Sequence, residues 1–283
     1  MSAPTWTPAV RRLGAFEAHR MLRHPAYPIA MLYILTWAGT LLVNHQGGTP
    51  ANGAYMVVSS SLLLVYAPVT FVVTNRVAAA THRSRVREVL DSVPVDVRQR
   101  TLGAIVGLMR GPVVVGLAGA ALLLVLGRFV TALTPVAGDR VYQRTVLEYL
   151  QVPAIVLGAG LLGIAVARWL PWPGMLPLTT LVLWFGTMAT YFPFTAVSQS
   201  GGPEVVHART WLSLWPVWYA SDQGMLPRQP LGQEMWHLSY LLGLGTLAGF
   251  AALLRAGGPR RALFVTAGAV VAVTAAAAWL QLG

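Results

Sequence analysis

The chain has 283 residues, 55% of them hydrophobic and only 10% charged, at a mean hydropathy of +0.60. A soluble domain carries about 25% charged residues, so this composition excludes an ordinary water-covered fold, and the absence of cysteine excludes disulfides, thiolate metal sites and a cysteine nucleophile. The net charge of +11 is carried by arginine without a single lysine; those arginines flank apolar runs, where the positive-inside rule and anionic lipid place them, so membrane lipid and no nucleic acid is the expected partner.

Residues 1–25 hold Arg11, Arg12, Arg20 and Arg23. Trp6, Val10, Leu13 and Phe16 recur at helical spacing, as in an amphipathic helix lying in the membrane interface. A basic lead-in to the first span is the other reading, and Pro25 and Pro28 interrupt the pattern. On either reading, residues 1–25 are expected to be a cytoplasmic or interfacial amphipathic N-terminal segment. Apolar runs of the ~20 residues that cross a bilayer core follow at 26–44, 54–75, 102–126, 146–167, 175–192 and 235–254. A seventh run closes the chain at 262–282. The expected fold is all-α, a polytopic transmembrane helical bundle of six core spans (26–261) plus a seventh C-terminal span (262–283).

Orientation follows from the arginines. With the N-terminus in the cytoplasm, Arg128, Arg140, Arg144, Arg209 and Arg228 fall outside. Arg110 lies inside a span, and the remaining fourteen of the 20 fall inside. That asymmetry predicts an N-in topology.

Gly158 to Gly163 matches G-x-G-x-x-G, but a dinucleotide site needs a strand before it and a helix after it. Here the motif sits inside an apolar run, so Gly160 and Gly163 are read as helix-packing positions. Gly103, Gly107 and Gly111 form two overlapping GxxxG steps, expected to pack a helix closely within the subunit or across a dimer. Arg110, about two turns into the third span, is an intramembrane charge and a functional candidate by default. Snorkelling to the cytoplasmic interface is its alternative, and Glu148 receives the same treatment. Glu234 and His237 have E-x-x-H spacing, but one such motif does not make a carboxylate-bridged metal site, and they are read as an interfacial anchor. No metal site is expected. No H-E-x-x-H, G-x-S-x-G or Walker A sequence occurs, and without lysine there is no P-loop lysine to cradle a phosphate.

The hydrophilic stretch 76–101 is the most informative. Arg83, Arg87 and Asp91 fall on one helical face, Val86, Val89, Leu90 and Val93 on another, and Pro94 ends the pattern. A short cytoplasmic docking helix is expected there, in preference to a solvated loop.

Arg87 to Gly107, REVLDSVPVDVRQRTLGAIVG, resembles the segment after the second span of type-2 ATP-binding-cassette exporter permeases, with Glu88, Leu90, Ser92 and Pro94 at the matching positions. The run from Trp236 to Arg255 resembles that family's last core span. The similarity covers residues 10–255 in layout. It implies a membrane permease subunit with no catalytic residue, moving a lipophilic or amphipathic substrate outward across a bacterial cell membrane. It further implies a second permease subunit and cytoplasmic ATPase subunits that bring ATP and magnesium, this chain having no cofactor of its own. ATPase contact would fall on the segment carrying Arg83, Arg85, Arg87, Glu88, Leu90, Asp91 and Pro94. An interfacial helical region would fall near Trp211 to Trp218, and the seventh span departs from the family's layout. A secondary ion-coupled transporter, with paired charges and an internal repeat, is the alternative; a polytopic membrane enzyme would need clustered His, Asp or Glu.

Overall fold

The computed structural model describes residues 8–43, 61–83, 96–133, 145–172, 174–197, 214 and 231–281. Among these every regular element is a helix: α1 (Pro8–Leu22), α2 (Ala26–Val43), α3 (Ala67–Arg83) after a π turn (Leu62–Tyr66), α4 (Val97–Arg110), α5 (Pro112–Leu133), α6 (Val146–Trp169), α7 (Met175–Val197), α8 (Leu231–Arg255) and α9 (Arg260–Leu280). Among the described residues four stretches are long and apolar enough to cross a membrane: Val97–Leu122, Val146–Trp169, Glu234–Arg255 and Arg260–Leu280. Three shorter apolar helical stretches accompany them, Ala26–Trp37, Leu64–Ala80 and Met175–Thr187. The architecture is an all-α helical bundle fit for a bilayer.

Helix α6 is the centre. It is apolar on every face, and such a helix is stable only when surrounded. Val156, Ile164 and Ala167 are fully buried, with α3 on one flank and α8 on another. Small residues set these approaches. The Gly163 backbone lies against the Phe71 carbonyl and Thr74 hydroxyl of α3, and Gly160 receives the Leu108 side chain from α4. A Cβ on Gly245 of α8 would lie 3.0 Å from the Gly158 Cα. Lipid tails are as apolar as leucine, so close packing and buried hydrogen bonds hold such helices together. Inside α3, Thr70 and Thr74 return their hydroxyls to the carbonyls of Tyr66 and Thr70 at 2.9 and 2.8 Å, and so are satisfied without water.

Helix α9 packs on α8, where Thr274 seats over Gly243 and Ala277 is fully buried. Its other face, with Val265 and Trp279, points away from the bundle. The connection is tight because Gly257 adopts φ +83°, while Gly258 and Gly257 donate to Leu253 and Leu254 at 3.0 and 3.4 Å. Those paired bonds end α8 by the glycine-dependent cap that satisfies its last carbonyls.

Three expectations change. The third span is not one helix. Pro112 has no N–H to give the Leu108 carbonyl and clashes with it, so the chain breaks at Gly111 (φ −109°, ψ −92°) into α4 and α5. Proline then sits at the first position of α5, where its missing hydrogen costs nothing. Helix α3 does not stop at residue 75 but runs on to Arg83, so Arg76 and Arg83 are helical residues continuous with the bundle. The buried face of α1 is Val10, Gly14, Ala18 and Met21, whereas Phe16 is 63% exposed. Two small residues flanked by Val10 and Met21, and not the large Phe16, meet the protein.

Candidate functional site

A cavity of about 300 Å³ lies between α3, α6, α7 and α8. Its wall from α3 and the π turn before it is Leu64, Ala67, Pro68 and Phe71; its α6 wall is Ala154, Ile155, Gly158, Ala159 and Leu162. Helix α8 contributes Leu241, Leu244, Gly245 and Ala248, and α7 contributes Thr180, Leu183, Trp184 and Thr187, with Leu214 beside them. Among the described residues no charged side chain lines it. The Thr180 and Thr187 hydroxyls donate to Leu176 and Leu183 carbonyls at 2.7 Å each, so both donors are already used.

The cavity exists because α7 stands off. It packs sparsely on α3 and α6, and Val182 and Phe185 on its far side are 63% and 60% exposed. The opposite wall carries a local irregularity. Ala67 donates to the Leu62 carbonyl five residues back, which makes the π turn. Pro68, which has no N–H to donate, follows at once, so the helix changes register where a bond is missing in any case.

A second constellation sits at one end of the bundle. Thr145 caps α6 by accepting from the Glu148 N–H at 3.4 Å, and its hydroxyl donates to Glu234 in the first turn of α8. Glu148, Gln151, Glu234, His237 and Gln281 are all buried, three of them completely. His237 Nδ1 donates to Gln281 Oε1 at 3.1 Å, which ties α8 to the end of α9. Among the described residues Glu234 Oε1 and Gln151 Nε2 have no hydrogen-bond partner, an arrangement that is costly in a dry interior.

The third constellation is at the other end. The 24 residues of α6 separate its ends by about 36 Å at 1.5 Å per residue. There α1 lies on α4. A Cβ on Gly103 would lie 2.9 Å from Leu13 Cβ, one on Gly107 would lie 2.8 Å from Glu17 Cβ, and one on Gly111 would lie 3.3 Å from the Ala18 carbonyl oxygen. The Gly14 backbone in turn receives Val106. Glu17 faces into this junction, 3.8 Å from Arg20. Burial pushes its carboxyl above the usual range, and Arg20 and the buried Arg168 of α6 pull it back only in part.

The sequence-derived candidates fall as follows. Gly103, Gly107 and Gly111 come together with α1, while Gly160 and Gly163 pack α6 against α4 and α3. Arg110 is exposed at the end of α4 and donates to the Arg11 carbonyl at 3.2 Å, so it does not face the bundle interior. Glu148 is buried in the polar cluster. Glu234 and His237 are both fully buried at the start of α8, with Thr145 and Gln281 as partners. Arg83 ends α3. Arg85, Arg87, Glu88, Leu90, Asp91 and Pro94 lie outside the described residues, as does the stretch around Trp211 to Trp218 apart from Leu214. The polar cluster was missed because its members come from three separated segments. The available signal was a pair of i, i+3 polar couples at helix starts, Glu148 with Gln151 and Glu234 with His237. Among the described residues no group of three His, Cys, Asp or Glu is placed to hold a metal ion.

Compared with family models, curated proteins and solved structures, the chain finds no match.

Proposed function

We propose that the chain is the membrane-spanning permease subunit of an ATP-binding-cassette exporter, moving a lipophilic or amphipathic substrate with ATP hydrolysed by separate partner subunits. The uncharged cavity between α3, α6, α7 and α8 carries this reading. A pore for ions or sugars needs many polar groups to replace hydration, and the described wall of this cavity offers only two threonines and the Trp184 indole. A lipophile needs only shape and packing. The reading includes six core spans plus α9, a cytoplasmic N-terminus, a second permease subunit, and ATPase docking on the segment 76–101 that carries Arg83, Arg87, Glu88 and Asp91.

The test is reconstitution. Tagged protein purified from its native membrane brings down an ATPase subunit, and the pair exports a lipophilic dye from vesicles only with ATP and magnesium. Reversing Arg87 and Glu88 leaves membrane insertion intact and abolishes both ATPase binding and export. Robust ATP turnover by the purified chain alone, or charge-reversed variants that bind and stimulate the ATPase unchanged, sinks the proposal.

One observation favours a second reading, ion-coupled transport. Two buried carboxylates and a buried histidine close one end of the bundle, and intramembrane ionisable groups of this kind form proton relays in such transporters. Substrate movement driven by an imposed proton gradient in vesicles free of ATP would select it.

A further inference from the structure

We infer that Arg23, His24 and Arg76 form a binding site for the phosphate of an anionic phospholipid, an inference that stands apart from the transport reading. The site is assembled by the turn between α1 and α2 and by α3. The Tyr27 ring at the start of α2 lies 5.3 Å from that of Tyr66, and its hydroxyl donates to Thr70 of α3 at 3.2 Å. His24 lies just before, its carbonyl accepting the Tyr27 N–H at 3.0 Å. Arg76 follows Thr70 on α3, about 9 Å further along the helix. Burial first, and then the Arg76 charge, hold the His24 imidazole below its usual range, so the two side chains share one locale.

The donors suit a phosphate. His24 Nδ1 accepts the Ala26 N–H at 3.2 Å, so the neutral ring carries its hydrogen on Nε2 and offers it to an acceptor. Two exposed guanidinium groups join it, from Arg23 on the same turn and from Arg76 on the neighbouring helix. A guanidinium can hold two phosphate oxygens at once. Among the described residues no carboxylate competes for them. Glu17 faces the α1–α4 junction, Asp96 caps α4, and Glu148 and Glu234 lie at the other end of the bundle. Among the described residues neither Arg23 nor Arg76 makes a side-chain hydrogen bond or an ion pair.

The surroundings select a lipid over a soluble anion. After Pro25 the chain enters the apolar stretch Ala26–Trp37, whose Ile29 and Leu32 are each 68% exposed. Acyl chains lying along these two side chains place their headgroup about 7 Å further down the helix, beside residues 23–25. Basic pockets between membrane helices take anionic headgroups in this way. A choline headgroup brings its own cation toward two arginines and is disfavoured by that repulsion. Inorganic phosphate has the charge but nothing to lay along Ile29 and Leu32.

Native mass spectrometry of the purified chain in a neutral detergent tests this without ATP or any partner. Dioleoyl phosphatidylglycerol should be retained about tenfold more tightly than dioleoyl phosphatidylcholine, since two arginines act on its charge. Arg23→Gln and Arg76→Gln should each weaken that retention about fivefold, the effect of one arginine beside an anionic headgroup. Arg76→Lys returns the charge and should restore most of the loss. Arg261→Gln removes an exposed arginine at the start of α9 and should leave retention unchanged. Equal retention of the two lipids by the parent overturns the assignment, as does inorganic phosphate held as tightly as the lipid. A loss in Arg261→Gln as large as in Arg76→Gln also overturns it, because the lipid would then be held by a diffuse basic surface and not by a site.

Discussion

The Asn75 amide donates to the Gly163 carbonyl across 3.1 Å and so joins α3 to α6 inside the core. Asn75 is 1% exposed, and its own carbonyl oxygen accepts nothing. One strong bond is thus made at the cost of one buried acceptor left empty. Asn75→Ala should destabilise the bundle by about 1–2 kcal/mol, the net of a lost bond and a relieved orphan. Gly163→Ala should be worse, because its new methyl would meet the Phe71 carbonyl and Thr74 hydroxyl. Thermal unfolding in detergent ranks the two; equal effects would mean that the glycine contact is not tight.

The groove beneath α1 gives a second expectation. Gly107→Leu has no room, with Glu17 Cβ and the Ala18 nitrogen 2.8 and 2.9 Å from its first carbon. Overpacking of this kind costs about 1–3 kcal/mol, and α1 is the element free to leave. Hydrogen exchange should rise across residues 8–22 and stay unchanged in α6 and α8. Gly268→Leu, where nothing lies within 4 Å of the new carbon, serves as the matched control.

Two groups near α1 respond to pH in opposite directions. The Glu17 carboxyl is raised above 4.5 chiefly by burial, with Arg20 and Arg168 opposing. Its contribution is therefore fully present below pH 4.5 and is lost as pH rises through the higher folded value. His24 is lowered from 6.5 by burial and by Arg76, and its Nδ1 accepts the Ala26 N–H at 3.2 Å at the start of α2. Its contribution is present above pH 6.5 and is lost as pH falls through the lower folded value. Glu17→Gln should therefore stabilise the protein at pH 7 and have little effect near pH 4. His24→Asn keeps an acceptor and should remove the acid-side loss. Melting temperatures from pH 4 to 8 read both slopes, and parallel curves for parent and variants would contradict the assignment.

The anchor of α9 offers a fourth. His237 and Gln281 should couple by about 0.5–3 kcal/mol in a double-mutant cycle, as directly bonded neighbours do. Gln281→Ala should also raise the sensitivity of α9 to protease. A coupling of zero would mean that the two side chains are merely adjacent.

Much of the helix plan was legible because its ends are punctuated. Residues 146–167, 235–254 and 262–282 were expected as spans, and α6, α8 and α9 match them to within a few residues. Arg168, Arg255 and the Gly257–Gly258 pair mark those ends chemically. The Gly111–Pro112 break was missed although the proline was visible, since continuous apolarity outweighed it. The glycine stripe was legible as a close-packing surface, but its occupant was not, because nothing local says that Gly103 will meet Leu13. The polar cluster hides for the same reason: Glu148 and Glu234 are joined through Thr145 but stand 86 residues apart. The cavity was illegible throughout. Leucine and alanine facing a space read the same as leucine and alanine facing a neighbour; only the stand-off of α7 separates them.

The pairing of α1 with α4 also sets an order of events during synthesis. Gly14 and Gly103 stand 89 residues apart, so at about 5–20 residues per second the ribosome needs roughly 4–18 s to deliver the groove after delivering the helix. Throughout that interval α1 lacks its main partner, and only α3, made earlier, can offer it a small contact. The close packing of α1 is thus completed late, by an element made well after it.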